Sequence, residues 1–202
     1  QMPSIDCDAA LMTIRMATYG TKMTVPITVP KTTIEKDLEL DLQTSLSSIL
    51  NAEYKDTFLY QNMEIKTKPL SYAEFTKSAL KSFEQARLQA AVQDTKLTDE
   101  EKISQFNTSF QKLTQLNVDM VVQTIVSIRV DGQTVTDKTQ IKEFVDNVSK
   151  EFFGAIMEHL EENRKAFQLA PQKVISTEEE VKQGAPETFE VPIAFDSSNF
   201  FA

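Results

Sequence analysis

The chain has 202 residues, of which 41% are hydrophobic and 25% are charged, a composition typical of globular proteins. Its 21 Lys and Arg against 30 Asp and Glu give a net charge of −9, and no basic cluster offers the electrostatic footprint of nucleic-acid binding. A single cysteine, Cys7, excludes an intramolecular disulfide, and no run of apolar residues is long enough to predict a membrane span.

The N-terminal region, residues 1–70, is predicted to hold a helix followed by a β-unit. Residues 6–19 have the periodicity of an amphipathic helix that ends at Tyr19-Gly20. Gly20 is expected to adopt positive φ at the helix C′ position, so this corner is a predicted structural turn. The apolar positions of the helix are Ala10, Leu11, Ile14 and Ala17.

Three strands are predicted after this helix. Residues 22–29 alternate, but Pro26 places that strand at a sheet edge because proline cannot donate to a ladder. Residues 34–42 place apolar side chains at period two with one exception, Lys36, and residues 62–67 form a shorter strand.

The central region, residues 71–170, is predicted to be a helical body. Ser71 with Glu74, and Thr98 with Glu101, have the spacing of capping boxes. Each precedes a long run of apolar residues at helical spacing, which predicts two antiparallel helices across residues 71–128 with a break near Asn117. The first run has Phe75, Ala79, Leu80, Phe83 and Ala90 on its buried stripe, and the second carries Ile103, Phe106, Phe110, Leu113, Met120, Val121, Ile125 and Ile128.

The remaining elements complete an α+β fold. Asp131-Gly132 is a hairpin-turn signal inside a short β segment near residues 129–135, and two helices follow up to about residue 167. The C-terminal region, residues 171–202, is predicted to be a β-hairpin of residues 172–176 and 188–195, joined by an acidic loop and followed by an aromatic tail.

Candidate catalytic and metal-binding groups are few. His159 is the only histidine and is expected at the surface of a helix, and Cys7 has no partner cysteine, so no metal site is predicted. Paired carboxylates such as Glu161-Glu162 fall on helix faces or in loops, where solvent reaches them. The four glycines form no phosphate-binding loop. The sequence therefore predicts no catalytic residue, no cofactor and no enzymatic activity.

The aromatic C-terminus is the candidate interface. Phe195 closes the alternating strand, and Phe200 and Phe201 follow a polar turn at the end of the chain. Two adjacent phenylalanines in water would be unfavourable. They either fold back onto their own domain or dock into a partner, and both readings stay open.

The order of these elements resembles one family. The segment DCDAALMTIRMATYG resembles the helix and Arg-x-x-x-Tyr-Gly element of the baseplate hub family of T4-type bacteriophages, the gene 26 type. EKDLELDL, IRVDGQTV and the terminal Asn-Phe-Phe are similar to later elements of that family, in the same order. Many members also carry Cys-x-x-Cys pairs, which this chain lacks, so a zinc ribbon is excluded.

The resemblance implies a structural, non-enzymatic subunit of a contractile-tail baseplate, in the hub or inner baseplate. Such a subunit would act through protein–protein interfaces with other phage baseplate or tail proteins in a hetero-oligomeric assembly. It would be assembled in the bacterial host cytoplasm and end in the tail baseplate of the virion. Nucleic acid and a membrane span have no part in this reading.

Two other functions remain as alternatives. A hub assembly chaperone of the same family would be needed to build the baseplate but would be absent from the mature virion. A hub-associated peptidoglycan hydrolase would belong to a different class, and the lack of a catalytic cluster argues against it. The residues alone do not separate a subunit from a chaperone.

Overall fold

The computed structural model describes residues 2–94 and 98–193, and the side chains of all of these except residues 88–94 and 99. The fold is α+β, as predicted from the sequence. In chain order the elements are a short 3-10 helix (Ser4–Asp6), α1 (Cys7–Tyr19), β1 (Lys22–Thr28), β2 (Glu35–Asp41), α2 (Leu42–Leu50), β3 (Thr57–Tyr60), β4 (Met63–Thr67), α3 (Tyr72–Asp94), α4 (Asp99–Thr124), β5 (Ile125–Val130), β6 (Gln133–Val135), α5 (Lys138–Asp146), α6 (Lys150–Ala166), β7 (Gln172–Ile175), α7 (Glu178–Lys182) and β8 (Thr188–Val191).

The chain divides into two compact units, each drawn from separate stretches of sequence. Unit 1 contains residues 2–5 and Lys55–Asn163, and unit 2 contains Asp6–Tyr54 and the described chain from Arg164 onward. The three-region division drawn from the sequence, with boundaries near residues 70 and 170, stays a prediction about domains.

Unit 1 is built on a four-stranded antiparallel sheet with strand order β3-β4-β5-β6. Phe152 of α6 is 2% exposed, and the rings of Tyr60 and Phe144 meet it edge-on with centroids 5.1 and 5.4 Å away. Edge-to-face pairs of this kind add to the free energy of area burial. The other buried residues of this core are Ile65, Val121, Val122, Ile125, Ile128, Ile141, Val145 and Ile156.

Unit 2 combines two β-hairpins, β1-β2 and β7-β8, with α1, α2 and α7. Its core consists of Met12, Met23, Leu40, Leu42, Leu46, Ile49 and Leu169. Lys36, the polar exception on the apolar face of β2, places its Nζ 2.8 Å from Oε1 of Glu180. The two residues are 144 positions apart in sequence, so this ion pair joins the two stretches of unit 2.

Several details of the sequence prediction are wrong. On α1 the buried residues are Met12 and Arg15, whereas Ile14 is 55% exposed. Flexible methionine side chains, rather than the branched residues on the neighbouring stripe, fill the space against the core of unit 2. Leu42 is the first residue of α2 and not the end of a strand, because the Asp41 carboxylate accepts a hydrogen bond from the Gln43 amide and caps a helix there.

The end of the second long helix also differs from the prediction. α4 runs through Asn117 without a break, since one asparagine costs a helix interior only a fraction of a kcal/mol, about 0.7 or less. Ile125 and Ile128 do not belong to this helix but to β5, where the run IVSIRV is rich in β-branched residues that favour a strand.

Candidate interaction surface

Helices α3 and α4 pack against each other as a helical hairpin in unit 1. Both predicted capping boxes are present. The Ser71 amide donates to Oε2 of Glu74 at 2.9 Å, and the Glu74 amide donates back to Oγ of Ser71. Thr98 and Glu101 form the same reciprocal pair at the start of α4. Two of the otherwise unpaired amides at each helix start are thereby satisfied, which fixes where the helices begin.

The buried residues of the two helices include two serines, while Val121 and Val122 at the end of α4 belong to the core of unit 1. Ser78 on α3 and Ser109 on α4 are each 8% exposed. Oε1 of Gln85 is buried and has no hydrogen-bond partner within residues 2–94 and 98–193. Burying small polar groups contributes little apolar area, and an unsatisfied oxygen has a desolvation cost.

Most apolar residues of the predicted buried stripes lie on the outside of the hairpin, although Val121 near the end of α4 is buried as predicted. We define the apolar face as Tyr72, Phe75, Phe83, Ile103, Phe106 and Phe110, which are between 41 and 65% exposed. Ala79 and Leu80 are exposed as well, and the side chain of Ala90 lies outside the described part. Helical periodicity identifies residues that share a face. It does not identify what covers that face.

The two rows of the apolar face point to the same side of the hairpin. At 100° per residue, the members of each row are rotated by about 60–140° in the same sense from the buried serine of their own helix. Because the helices run in opposite directions, equal senses of rotation bring both rows to one side. The rings of Phe106 and Phe110 are nearly parallel there, with centroids 6.5 Å apart.

The area and charge of this surface suit protein contact. A fully covered aromatic side chain buries about 150–250 Å², so six half-exposed side chains leave roughly 600 Å² of mostly apolar area in water. Residues 72–124 carry six Lys or Arg and seven Asp or Glu, so the hairpin is close to neutral within a chain of net charge −9.

His159 lies in a structural and not a catalytic environment. Its Nε2 is 3.2 Å from Nδ2 of Asn163 and 3.4 Å from Oγ1 of Thr67, and its ring is 5.2 Å from that of Phe58. Burial lowers the pKa of His159, so the neutral imidazole is favoured. Contrary to prediction, this side chain is half-buried. Within residues 2–94 and 98–193, no three His, Cys, Asp or Glu side chains cluster in a way that could hold a metal ion.

The predicted turn at Tyr19-Gly20 follows α1 in unit 2. Gly20 has φ +90° and ψ 179°, and its amide donates to the Met16 carbonyl. The Arg15 guanidinium carbon lies 4.4 Å from the centre of the Tyr19 ring. Four residues is the spacing at which two side chains meet on a helix, so the Arg-x-x-x-Tyr-Gly element supports a cation–π contact at the helix end.

The second predicted turn, Asp131-Gly132, connects β5 to β6 in unit 1. Asp131 and Gly132 have φ of +50° and +82°, positive at both central residues as a two-residue hairpin turn requires. Oδ1 of Asp131 is 3.4 Å from Nδ2 of Asn62, at the neighbouring β3-β4 turn. The candidate interface residues Phe195, Phe200 and Phe201 lie outside the described residues.

Every described helix, across residues 2–94 and 98–193, is too short or too polar to cross a membrane. Comparison with known families matches residues 1–189 to the family described as T4 bacteriophage base plate protein. Searches of curated proteins and of solved structures find no match. Because the family match spans more than nine-tenths of the sequence, the chain belongs to the T4 bacteriophage base plate protein family.

Proposed function

We propose that the protein is a hub or inner-baseplate subunit of a contractile phage tail that acts through protein–protein interfaces and not through catalysis. Membership of the family supports a structural role in the baseplate, with other phage tail proteins as partners. The hub position, the hetero-oligomeric state and assembly in the host cytoplasm are the finer parts of the proposal.

The apolar face of the α3-α4 hairpin is the observation that carries this proposal. Isolated exposed apolar residues are normal on a protein surface, but a contiguous apolar patch of several hundred Å² marks a contact site. Tyr and Phe dominate the apolar face, and aromatic residues are enriched where proteins meet. Covering the face on assembly would remove this apolar area from water.

A baseplate assembly chaperone remains the second candidate. The same apolar face would then bind a baseplate protein transiently. A hub-associated peptidoglycan hydrolase has the least support, since the family points to a structural protein and His159 is enclosed by Thr67, Asn163 and Phe58.

Mass spectrometry of purified virions separates the first two candidates. A subunit is recovered in the virions at a fixed ratio to other tail proteins, whereas a chaperone is recovered only in assembly intermediates. Detection in intermediates alone would overturn the subunit proposal.

Substitution on the apolar face tests the mechanism. Phages carrying Phe106→Ser together with Phe110→Ser should accumulate incomplete baseplates and lose infectivity. The matched control is Leu59→Ser, because Leu59 is 70% exposed but lies on β3 and not on the hairpin. Normal particles from the double variant would show that the apolar face has no role in assembly.

The C-terminal phenylalanines remain a second candidate contact. A chain that ends at Asp196 should fold with near-normal stability yet fail to enter baseplates if Phe200 and Phe201 dock into a partner. If they pack on their own domain, its free energy of unfolding should fall by several kcal/mol, which is comparable to about 5–15 kcal/mol for a whole domain. Normal folding with normal incorporation would exclude both roles.

A further inference from the structure

We propose that the apolar face of the α3-α4 hairpin is covered by a second copy of this chain, so that two hairpins pack face to face as a four-helix arrangement. The inference rests on the proposed role of the apolar face as an assembly surface. The inference names the protein that covers the apolar face, which neither the family nor the proposed function identifies.

The spacing of the apolar residues on α4 is that of a helix that pairs with another helix. Ile103, Phe106, Phe110 and Leu113 recur at alternating steps of three and four residues. Such a seam packs best against helices that present matching apolar rows. A second copy supplies matching rows on both helices of its hairpin.

Asn117 extends this seam by one further step and is exposed on an unbroken helix. A single asparagine at a seam position is a known means of fixing the register and number of paired helices, at some cost in stability. A contact between copies of this chain gives Asn117 that role.

The exposed area agrees with a contact between two copies. A standard protein–protein interface removes about 800 Å² from each partner. The roughly 600 Å² left uncovered by the six aromatic and aliphatic side chains supplies most of that area, and the rim of the hairpin can supply the rest. In a two-fold contact the same patch is buried on both copies, so one apolar face serves both sides.

The charge of the hairpin allows contact between two copies of the chain. The whole chain carries −9, yet residues 72–124 carry only one more acidic than basic residue. Two copies of an acidic protein repel each other over most of their surface. Contact through the nearly neutral hairpin avoids most of that repulsion.

Sedimentation velocity on the purified full-length chain tests the inference. Over a series from about 1 to about 100 µM, the range of moderate affinities, the wild-type mass should rise from that of one chain to that of two. Phe106→Ser with Phe110→Ser should weaken association by about 100-fold or more, since each ring loses its apolar burial on both copies. Leu59→Ser, on β3, should associate as the wild type does.

Hydrogen exchange on the same samples locates the contact. Amides of residues 72–87 and 100–113 should exchange more slowly at concentrations where the mass doubles, because covering the apolar face stabilises the hairpin. Amides of β3 and β4 should not change. Slowing confined to other elements would place the contact elsewhere and overturn the inference.

The test of pairing between two copies can be distinguished from the test of the baseplate role. A wild-type chain that stays a monomer across the series, or a double variant that associates like the wild type, overturns the second copy as occupant. If that monomer still requires Phe106 and Phe110 to enter baseplates, a different baseplate protein covers the apolar face and the proposed function stands. If the chain associates through the apolar face but the double variant builds normal baseplates, the pairing is real and the proposed function fails.

Discussion

Gly20 and Gly154 form a matched pair for measuring how much backbone conformation contributes to stability. A Cβ atom built on either glycine meets no heavy atom within 4 Å, so alanine adds no steric clash at either position. The difference lies in the backbone. Gly20 has φ +90° and ψ 179°, a region that is essentially restricted to glycine, whereas Gly154 lies inside α6.

The expected effects have opposite signs. Gly20→Ala should lower the free energy of unfolding by about 1–3 kcal/mol, the cost of holding a residue with a Cβ in a sparsely populated region. Gly154→Ala should raise it by about 0.5–1 kcal/mol, because glycine loses more backbone entropy in a helix than alanine does. Gly20→Val should cost at least as much as Gly20→Ala, since a β-branched side chain is more restricted.

Urea denaturation followed by far-UV circular dichroism measures both changes. With slopes of about 2–3 kcal/mol per M, the midpoint of Gly20→Ala should fall by about 0.3–1.5 M. Gly20→Asn is a second check, because asparagine tolerates the left-handed helical region but not an extended ψ at positive φ. A Gly20→Ala variant as stable as the wild type, or full rescue by asparagine, would refute the assigned conformation.

Three further perturbations test the two units. Burial lowers the pKa of His159 below 6.5, so the folded protein binds a proton here less readily than the unfolded chain and loses stability as the pH falls below about 6.5. His159→Gln should remove this loss, which is measured by comparing urea midpoints at about pH 7.5 and about pH 5. The hydrogen bond from Lys36 lowers the pKa of Glu180 below 4.5. The destabilisation by Lys36→Met should therefore shrink as the pH falls through this lowered pKa. An equal difference in melting temperature between wild type and variant at neutral and at acid pH would contradict this. Phe152→Ala should destabilise by about 3–5 kcal/mol in urea titrations, while Leu80→Ala should stay within about 0.5 kcal/mol; equal losses would show that Phe152 is not the packing centre of unit 1.

Local hydrogen-bonding signals were the most reliable part of the sequence. Ser71 with Glu74 and Thr98 with Glu101 predicted two helix starts correctly, because a capping box needs only residues three positions apart. The same spacing occurs at Thr177 and Glu180, where it starts α7. The sequence predicts a loop here because three consecutive glutamates, residues 178–180, surround this capping box.

Signals that depend on distant parts of the chain were less informative. Lys36 interrupts an apolar row, and its partner Glu180 is far away in sequence, so no local pattern could pair them. Likewise, the apolar rows of α3 and α4 share one pattern whether they face a core or a neighbouring protein. The main candidate site could therefore be recognised as an apolar stripe from the sequence, but not as a surface.

The division of the sequence between the two units has a consequence for the order of events on the ribosome. Unit 1 uses residues 2–5 and 55–163, and its N-terminal end is tied by hydrogen bonds from the Ser4 amide to Leu70 and from the Tyr72 amide to Met2. All of its parts have been synthesised once residue 163 has emerged. Unit 2 must wait, because α1 lacks Leu169 of its core, and Lys36 of β2 lacks its partner Glu180, until translation is almost complete. Domains fold as they emerge from the ribosome, so the hairpin that carries the apolar face is formed before the N-terminal helix is packed, and newly made chains on neighbouring ribosomes can meet through it.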